Sequence, residues 1–360
     1  MRSEGITTMN SNLNDYLRRT LEARIYDLVV ETPLQPAPLI SAQLDNQVFI
    51  KREDMQPIFS FKLRGAYNKI LQLNQKQRDA GVVAASAGNH AQGLALASRH
   101  LGIKALIVMP LTTPSIKVDS VRRLGARIVL SGANYDEALA LSKRIVDRTG
   151  MTYVHAYNDI DVISGQGTVA AEILRQHPSH IDAVFVPVGG GGLCAGMAAY
   201  IKQIRPDVKM IAVESEESAC LKEAILHKKP KRLASVGKFA DGVAVSEIGS
   251  ETFRILKEFV DDVVTVTNDE ICFAIKDIFE ETRSIAEPSG ALALAGLRKY
   301  SAEKQLSGQT LVTVLSGANA NFSTLNYVTE RTSSISAIIK PEEAISATVE
   351  RVILKDSSSN

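Results

Sequence analysis

Lys62, the four consecutive glycines at 189–192, the segment around Asn89 and Ser316 are the places where residue type and spacing suggest chemistry. In "SFKLRGAYNKI" (60–70), Leu63, Ala66, Tyr67, Ile70 and the following Leu71 recur at helical spacing. Ser60 stands ahead of them as an N-cap. Lys62 then falls in the first turn, where the partial positive charge of a helix start disfavours a cation. Lys51, Arg52 and Arg64 add positive charge nearby. A surface lysine tolerates that setting; a lysine kept neutral by it is a nucleophile. In "VGGGGLCAG", Gly189, Gly190, Gly191 and Gly192 follow the apolar run "AVFVP" and precede a helical stretch. Four flexible glycines lose much entropy on ordering, more than a plain turn requires. Their N–H groups and the helix start form an anion nest suited to a phosphate.

"SAGNHAQG" repeats the theme on a smaller scale. Gly88 and the helix start offer N–H donors to an anion such as a carboxylate, and Asn89 adds an amide. An ordinary tight turn capped by Asn uses the same residues. His90 reads as a helix-start or packing residue, not a base. Two cofactors suit the glycine loop. Gly190, Gly192 and Ala195 fit G-x-G-x-x-A, and Glu214 ends the next strand about where an acid would hold a ribose. That reading is an NAD-dependent oxidoreductase using the loop at 188–195, and it leaves Lys62 without a task. Pyridoxal 5′-phosphate (PLP) needs a phosphate cup, a lysine amine for its aldehyde and a polar partner for its ring nitrogen. The glycine loop, Lys62 and Ser316 supply the three. No G-K-[ST] follows the glycines, so a Walker A site is excluded.

These segments need a frame. "NQVFIKRE", "GVVAAS", "KALIVMP", "ARIVL", "DAVFVP", "VKMIAVE", "DVVTV" and "TLVTVLS" are short β-branched runs. Amphipathic stretches such as 134–148, 161–176 and 268–281 lie between most of them. The alternation predicts an α/β fold with mostly parallel strands covered on both faces. In such sheets ligands bind beyond the carboxyl ends of strands. Four small-residue turns are expected there: "ASAGNHAQG" (85–93), "VGGGGLCAG" (188–196), "AEPSGALALAG" (286–296) and "LSGANANFS" (315–323). After about residue 330 the serine-rich "RTSSIS" is expected to interrupt the fold. A short helix is read at 341–354, and "KDSSSN" as a frayed end.

The 360 residues carry a net charge of +1, with 45% apolar and 22% charged residues. That balance argues against nucleic acid. Cys194, Cys220 and Cys272 are odd in number, far apart and free of C-x-x-C spacing, which predicts buried packing rather than disulfides or zinc. No leader and no apolar run of 18 residues is read, so a soluble cytoplasmic protein without a membrane span is expected.

"IKREDMQPIFSFKLRGAYNKI", "SAGNHAQG", "VGGGGLCAG", "RSIAEPSGALALAG" and "LSGANANF", taken in order over roughly 20–330, resemble the catalytic domain of the biosynthetic threonine deaminases (L-threonine dehydratases, or ammonia-lyases). These belong to the fold-type II PLP enzymes, the tryptophan synthase β-like fold. The resemblance implies two doubly wound open-sheet subdomains with the active site between them. A small one at about 58–164 is inserted in a large one at about 20–57 plus 165–330, followed by a tail at 331–360. It implies that Lys62 carries the cofactor with Phe61 against it, and that Asn89 bonds the ring hydroxyl. Gly189, Gly190, Gly191, Gly192 and Leu193 hold the phosphate, and Ser316 meets the ring nitrogen. Ser86, Ala87, Gly88, Asn89 and His90 form the substrate loop. The implied reaction is deamination of L-threonine to 2-oxobutanoate and ammonia, the first step of isoleucine biosynthesis, and of L-serine to pyruvate. A homodimer or homotetramer is implied too. Three departures from relatives matter. The chain ends about 30 residues beyond "NYVTER", so no isoleucine-binding regulatory domain and no feedback are expected. Serine racemases have a serine where Ala87 stands, and a metal-site glutamate at Glu214. Ser218 and Cys220 at the later ligand positions make a poor hard-ion set, so no metal is expected and Glu214 is read as an exposed or ion-paired strand-end residue.

Overall fold

The computed structural model describes residues 15–336; the helix read at 341–354 and the end "KDSSSN" lie outside them. Among the described residues ten strands form: β1 (Leu34–Pro36), β2 (Gln47–Arg52), β3 (Val82–Ala85), β4 (Ala105–Met109), β5 (Arg127–Leu130), β6 (Thr152–Tyr153), β7 (Ala183–Pro187), β8 (Lys209–Ser215), β9 (Asp262–Val266) and β10 (Thr310–Leu315). All eight runs read from the sequence are among them. The two not read, β1 and β6, are three and two residues long, too short for an alternation to show. The helices used below are α1 (Lys62–Leu71), α2 (Asn89–His100), α3 (Tyr135–Thr149), α4 (Ile160–Gln176), α5 (Gly192–Ile204), α6 (Ser250–Phe259), α7 (Asn268–Thr282), α8 (Pro288–Lys304) and α9 (Thr324–Ser336). None among the described residues is long and apolar enough to cross a membrane.

The strands make two sheets, ordered β1-β2-β10-β7-β8-β9 and β5-β4-β3-β6. Every pairing is parallel except β1 with β2. Antiparallel β1 at the edge ends in Pro36, which cannot donate to a further strand. The apolar runs are continuous because both faces are covered. On β10, Val312 and Val314 enter the core beneath α4, α5 and α6, while Leu311 and Leu315 enter the opposite core with α7 and α8. In the smaller sheet, Val82 and Ala84 meet α1 and α2, and Val83 and Ala85 face α3.

Helix α4 is packed between α1 and α5, and glycine makes both contacts close. A Cβ on Gly165 would lie 2.8 Å from Gly65 Cα of α1. One on Gly196 of α5 would strike Ile163 O of α4 and lie 2.7 Å from Gly167 N. Helix α1 is consequently buried beyond its apolar stripe: Arg64, Gly65 and Asn68 are buried along with Leu63, Ala66, Tyr67 and Ile70.

Two expectations are corrected. "RTSSIS" does not interrupt the fold, because 331–336 complete α9. Val328 of this helix is buried in the core shared with α7 and α8, Tyr327 packs on that core, and the buried Thr332 hydroxyl donates back to Val328 O at 2.9 Å. Tertiary packing overrides a middling local propensity. "AEPSG" does not end a strand either; it follows α7 and opens α8. It reaches the site by packing on Gly317, whose carbonyl a Cβ on Gly290 would strike.

In an exposed helix, alanine for glycine stabilises by up to about 1 kcal/mol. Gly196→Ala is expected to do the reverse and cost about 1–3 kcal/mol, because the methyl meets backbone that side chains cannot move aside for. Denaturant midpoints of the two proteins at constant m-value measure it.

Candidate active site

Lys62 opens α1, and the residue before it, Phe61, is already helical and makes no side-chain cap. The expected cap does not form: Ser60 Oγ is buried with no hydrogen-bond partner among the described residues, and the Ser60 backbone bridges to Gly317 instead. Phe61 N donates to Ser316 O at 3.2 Å, which ties the lysine to the end of β10. Lys62 Nζ donates to Ala156 O at 3.1 Å and lies 5.2 Å from the Phe61 ring centroid. Burial lowers the amine from 10.5 to about 8, and the charge of Glu287 opposes the shift. Loss of the proton is thus eased, by desolvation and not by the helix start and neighbouring cations the sequence suggested.

Those cations are engaged elsewhere. Arg64 forks onto Glu53 at 2.7 and 2.8 Å and onto Glu172 at 2.6 and 2.9 Å. Lys51 Nζ meets Glu172 at 2.6 Å and Thr32 O at 2.6 Å. All four charged side chains are fully buried, and two positive charges balance two negative ones. Arg52 is held by Asp54. Residues two apart on a helix face away from each other, so anchoring Arg64 toward β2 and α4 turns Lys62 to the other side.

The glycine loop runs from β7 into α5 between two walls. Cβ atoms would lie 2.8 Å from Val243 Cα at Gly189 and 3.0 Å from Tyr157 Cα at Gly192, and inside the Tyr157 ring at Gly190. Gly191 has φ of +90°, open to glycine at no steric cost. Each glycine is therefore demanded by protein on its flank. Among the described residues, nothing accepts a hydrogen bond from the N–H groups of Gly189, Gly190, Gly191, Gly192 or Leu193. Gly190 to Leu193 are buried. A run of buried unpaired donors is costly unless an anion takes them. A phosphate at a helix start fits that donor set. His155, kept neutral by burial, accepts from Tyr157 N at 3.2 Å and Asn158 N at 2.9 Å, and so shapes the turn that carries Tyr157.

The loop after β3 faces the same space. Asn89 Nδ2 donates to Glu287 at 2.6 Å, and its Oδ1 accepts from Asn319 Nδ2 at 2.8 Å. These bonds fix the amide orientation and leave one N–H of Asn89 for a ligand. Gly88 N bonds Ser86 Oγ at 3.3 Å. The N–H groups of Ala87, Asn89 and His90 have no acceptor among the described residues, and a Cβ on Gly88 would meet open space. The His90 side chain turns away: it is buried, held neutral, and its Nε2 donates to Val154 O at 2.9 Å. Only its backbone belongs to the loop. Ser316 is buried, and its hydroxyl lies 3.3 Å from Ser289 O.

Glu214 is neither exposed nor ion-paired, contrary to the sequence reading. It is fully buried, and its two oxygens accept from Leu221 N at 2.7 Å and Lys222 N at 2.9 Å, at the start of the helix Cys220–His227. A carboxylate so committed is turned away from any ribose, which removes the support for a dinucleotide. Glu287 is the residue the sequence reading passed over. It is buried, and burial and Asp241 raise it to about 7. The sole signal was an acid among small residues in "AEPSGALALAG". Beside it opens a cavity of about 200 Å³ lined by Lys117, Asp241, Asn319 and Tyr327 among others. Tyr157 and Ala156 carry no local signal.

An amine, a phosphate-sized donor loop and a buried hydroxyl converge here, as PLP requires. The family model for pyridoxal-phosphate-dependent enzymes matches residues 25–317. The chain is 57% identical over 317 residues to the biosynthetic L-threonine dehydratase of Pasteurella multocida, covering 88% of this chain and 62% of that protein. It thus spans about three fifths of the length of several curated relatives it matches. The processed form of threonine deaminase isoform 2 from Solanum lycopersicum matches with a TM-score of 0.87 at 46% identity, over 89% of this chain and 93% of that one. Serine racemase from Dictyostelium discoideum matches at 0.79 and 31%, over 85% and 99%. The chain therefore belongs to the pyridoxal-phosphate-dependent enzymes of fold-type II, and PLP is its cofactor.

Proposed function

We propose that this chain deaminates L-threonine to 2-oxobutanoate and ammonia, and L-serine to pyruvate. The observation that carries the reading is the half-buried Lys62 amine, its proton affinity lowered by desolvation, beside two loops whose N–H groups have no acceptor among the described residues. The dehydratase and deaminase names of the relatives support it. Lys62 would hold the cofactor through its Nζ, the N–H groups of 189–193 its phosphate, Asn89 its ring hydroxyl and Ser316 its ring nitrogen. When bound, PLP withdraws electrons from the α-carbon of an amino acid and makes its α-hydrogen acidic.

The rest falls to the chain. The N–H groups of Ala87, Asn89 and His90 bind the substrate carboxylate and orient the α-hydrogen toward Lys62. Lys62 Nζ would accept that proton as a positioned base, a role that a group titrating near pH 8 suits. Ser316 is a neutral hydroxyl, not a carboxylate, so it does not hold a proton on the ring. Negative charge at the α-carbon would then be poorly spread, which favours loss of the β-hydroxyl as water, its proton supplied from the phosphate of the bound cofactor. Ala87 has no group that transfers a proton on the far side, which separates this site from a racemase. Large apolar side chains exposed at Met55, Phe59 and Phe322 suit association as a homodimer or homotetramer.

Lys62→Arg is expected to lose the yellow imine absorption and the borohydride-fixed label, and turnover by about 10²–10⁴-fold or more. A colourless wild-type protein, or an active variant, overturns the reading.

A pH series tests the origin of the shifted amine. Raising the pH through about 8 frees the Lys62 base, so PLP uptake by the stripped protein should accelerate with a midpoint there and not near 10.5. Glu287→Gln removes the negative charge that raises Lys62, so the midpoint should move to lower pH. A midpoint that stays put or rises contradicts the placement. Given L-serine, the enzyme should form far more pyruvate than D-serine; chiral chromatography showing comparable amounts would contradict the role given to Ala87.

A further inference from the structure

Glycine frees the phosphate loop to adopt its path, but the same freedom lets it turn carbonyls into the cup as readily as N–H groups. In a trans peptide unit, the C=O of one residue and the N–H of the next point in opposite directions. A group that holds one carbonyl therefore aims the following N–H.

Three successive carbonyls are held. Gly189 O accepts from Cys220 Sγ at 3.3 Å, Gly190 O from Thr252 Oγ1 at 2.7 Å, and Gly191 O from Ala195 N at 2.8 Å. The third bond belongs to helix α5 and any helix would make it. The first two come from side chains on separate elements, the helix Cys220–His227 and α6. Both residues are fully buried. The Thr252 hydroxyl also lies 3.0 Å from Gly249 O; it has one proton, and Gly190 O is the nearer acceptor. Gly249 N adds a long contact of 3.4 Å to the same carbonyl.

We infer that Thr252, seconded by Cys220, is a positioning residue for the cofactor phosphate: the two side chains hold the Gly190–Gly191 and Gly189–Gly190 peptide planes with their N–H groups turned into the cup. Neither side chain is assigned a contact with the phosphate. The inference rests on the cofactor and not on the choice of amino acid, so a failure of threonine turnover does not bear on it.

The test compares PLP with pyridoxal, which has the aldehyde and ring but no phosphate. The full chain, stripped with hydroxylamine, is titrated with each ligand by absorbance. Thr252→Val keeps the shape and removes the donor. It is expected to weaken PLP by about tenfold while leaving pyridoxal within about twofold, and Thr252→Ser is expected to restore PLP. A merely structural role would weaken both ligands alike, and that result overturns the inference, as does a serine variant as weak as the valine one. Should Thr252→Val not fold, Cys220→Ala against Cys220→Ser makes the same comparison. The alanine variant should lose PLP affinity alone by about threefold, and parallel loss of pyridoxal overturns the proposal.

Discussion

The separation between the lysine and the glycine loop is set by backbone-to-backbone packing of one helix. On α4, Gly165 rests against the helix that begins with Lys62, and Gly167 against the helix that begins at the phosphate loop. A third contribution comes from Glu172 of the same helix, which grips Arg64 two residues after Lys62. Glycine in helices costs about 0.5–1 kcal/mol each relative to alanine. Here it is retained where two helix starts must meet a common support with no side chain between them.

Buried charge is used in two opposite ways. Around Arg64, two cations and two carboxylates satisfy one another, and removing one member would strand the rest in a medium that does not solvate them. Such a cluster specifies direction: it turns one face of α1 toward β2 and leaves the other for Lys62. Around Lys62 itself there is too little compensation. Its amine has a backbone carbonyl for company and one distant acid, so burial lowers its proton affinity. The same lack of compensation raises Glu287, which rests on an amide and faces another acid, Asp241. Reactive and inert ionisable groups here differ in how fully their charge is met: the fully buried cluster is compensated, the half-buried lysine is not.

The glycine loop shows why a motif has more than one cause. Its N–H groups suit a phosphate, yet its lack of side chains is enforced from behind, by Tyr157 on one flank and Val243 and Ile248 on the other. The walls keep the loop thin, the bonds to its carbonyls keep it oriented, and the helix start adds its dipole. Ser60, predicted to cap α1, is instead part of the backbone joint that brings Gly317 against the lysine segment.

Local sequence by itself determined the eight apolar strands, the parallel α/β class, and the loops after β3, β7 and β10 that line the site, because period, strand length and glycine content are local properties. Lys62, Asn89 and Ser316 stood out as candidates for the same reason: each sits at a fixed offset from a turn signal. What only the tertiary structure decided depends on partners distant in the chain. Glu287 becomes a site residue through Asn89, 198 positions away, and Tyr157 through its packing on Gly190 and Gly192. Glu214 loses its apparent role because both its oxygens are taken by a helix start. The cause of the lysine's lowered proton affinity likewise shifted to desolvation, since Arg64 and Lys51 find their carboxylates on other elements. Charge and hydrogen-bond satisfaction are properties of a three-dimensional neighbourhood, and one-dimensional order does not contain them.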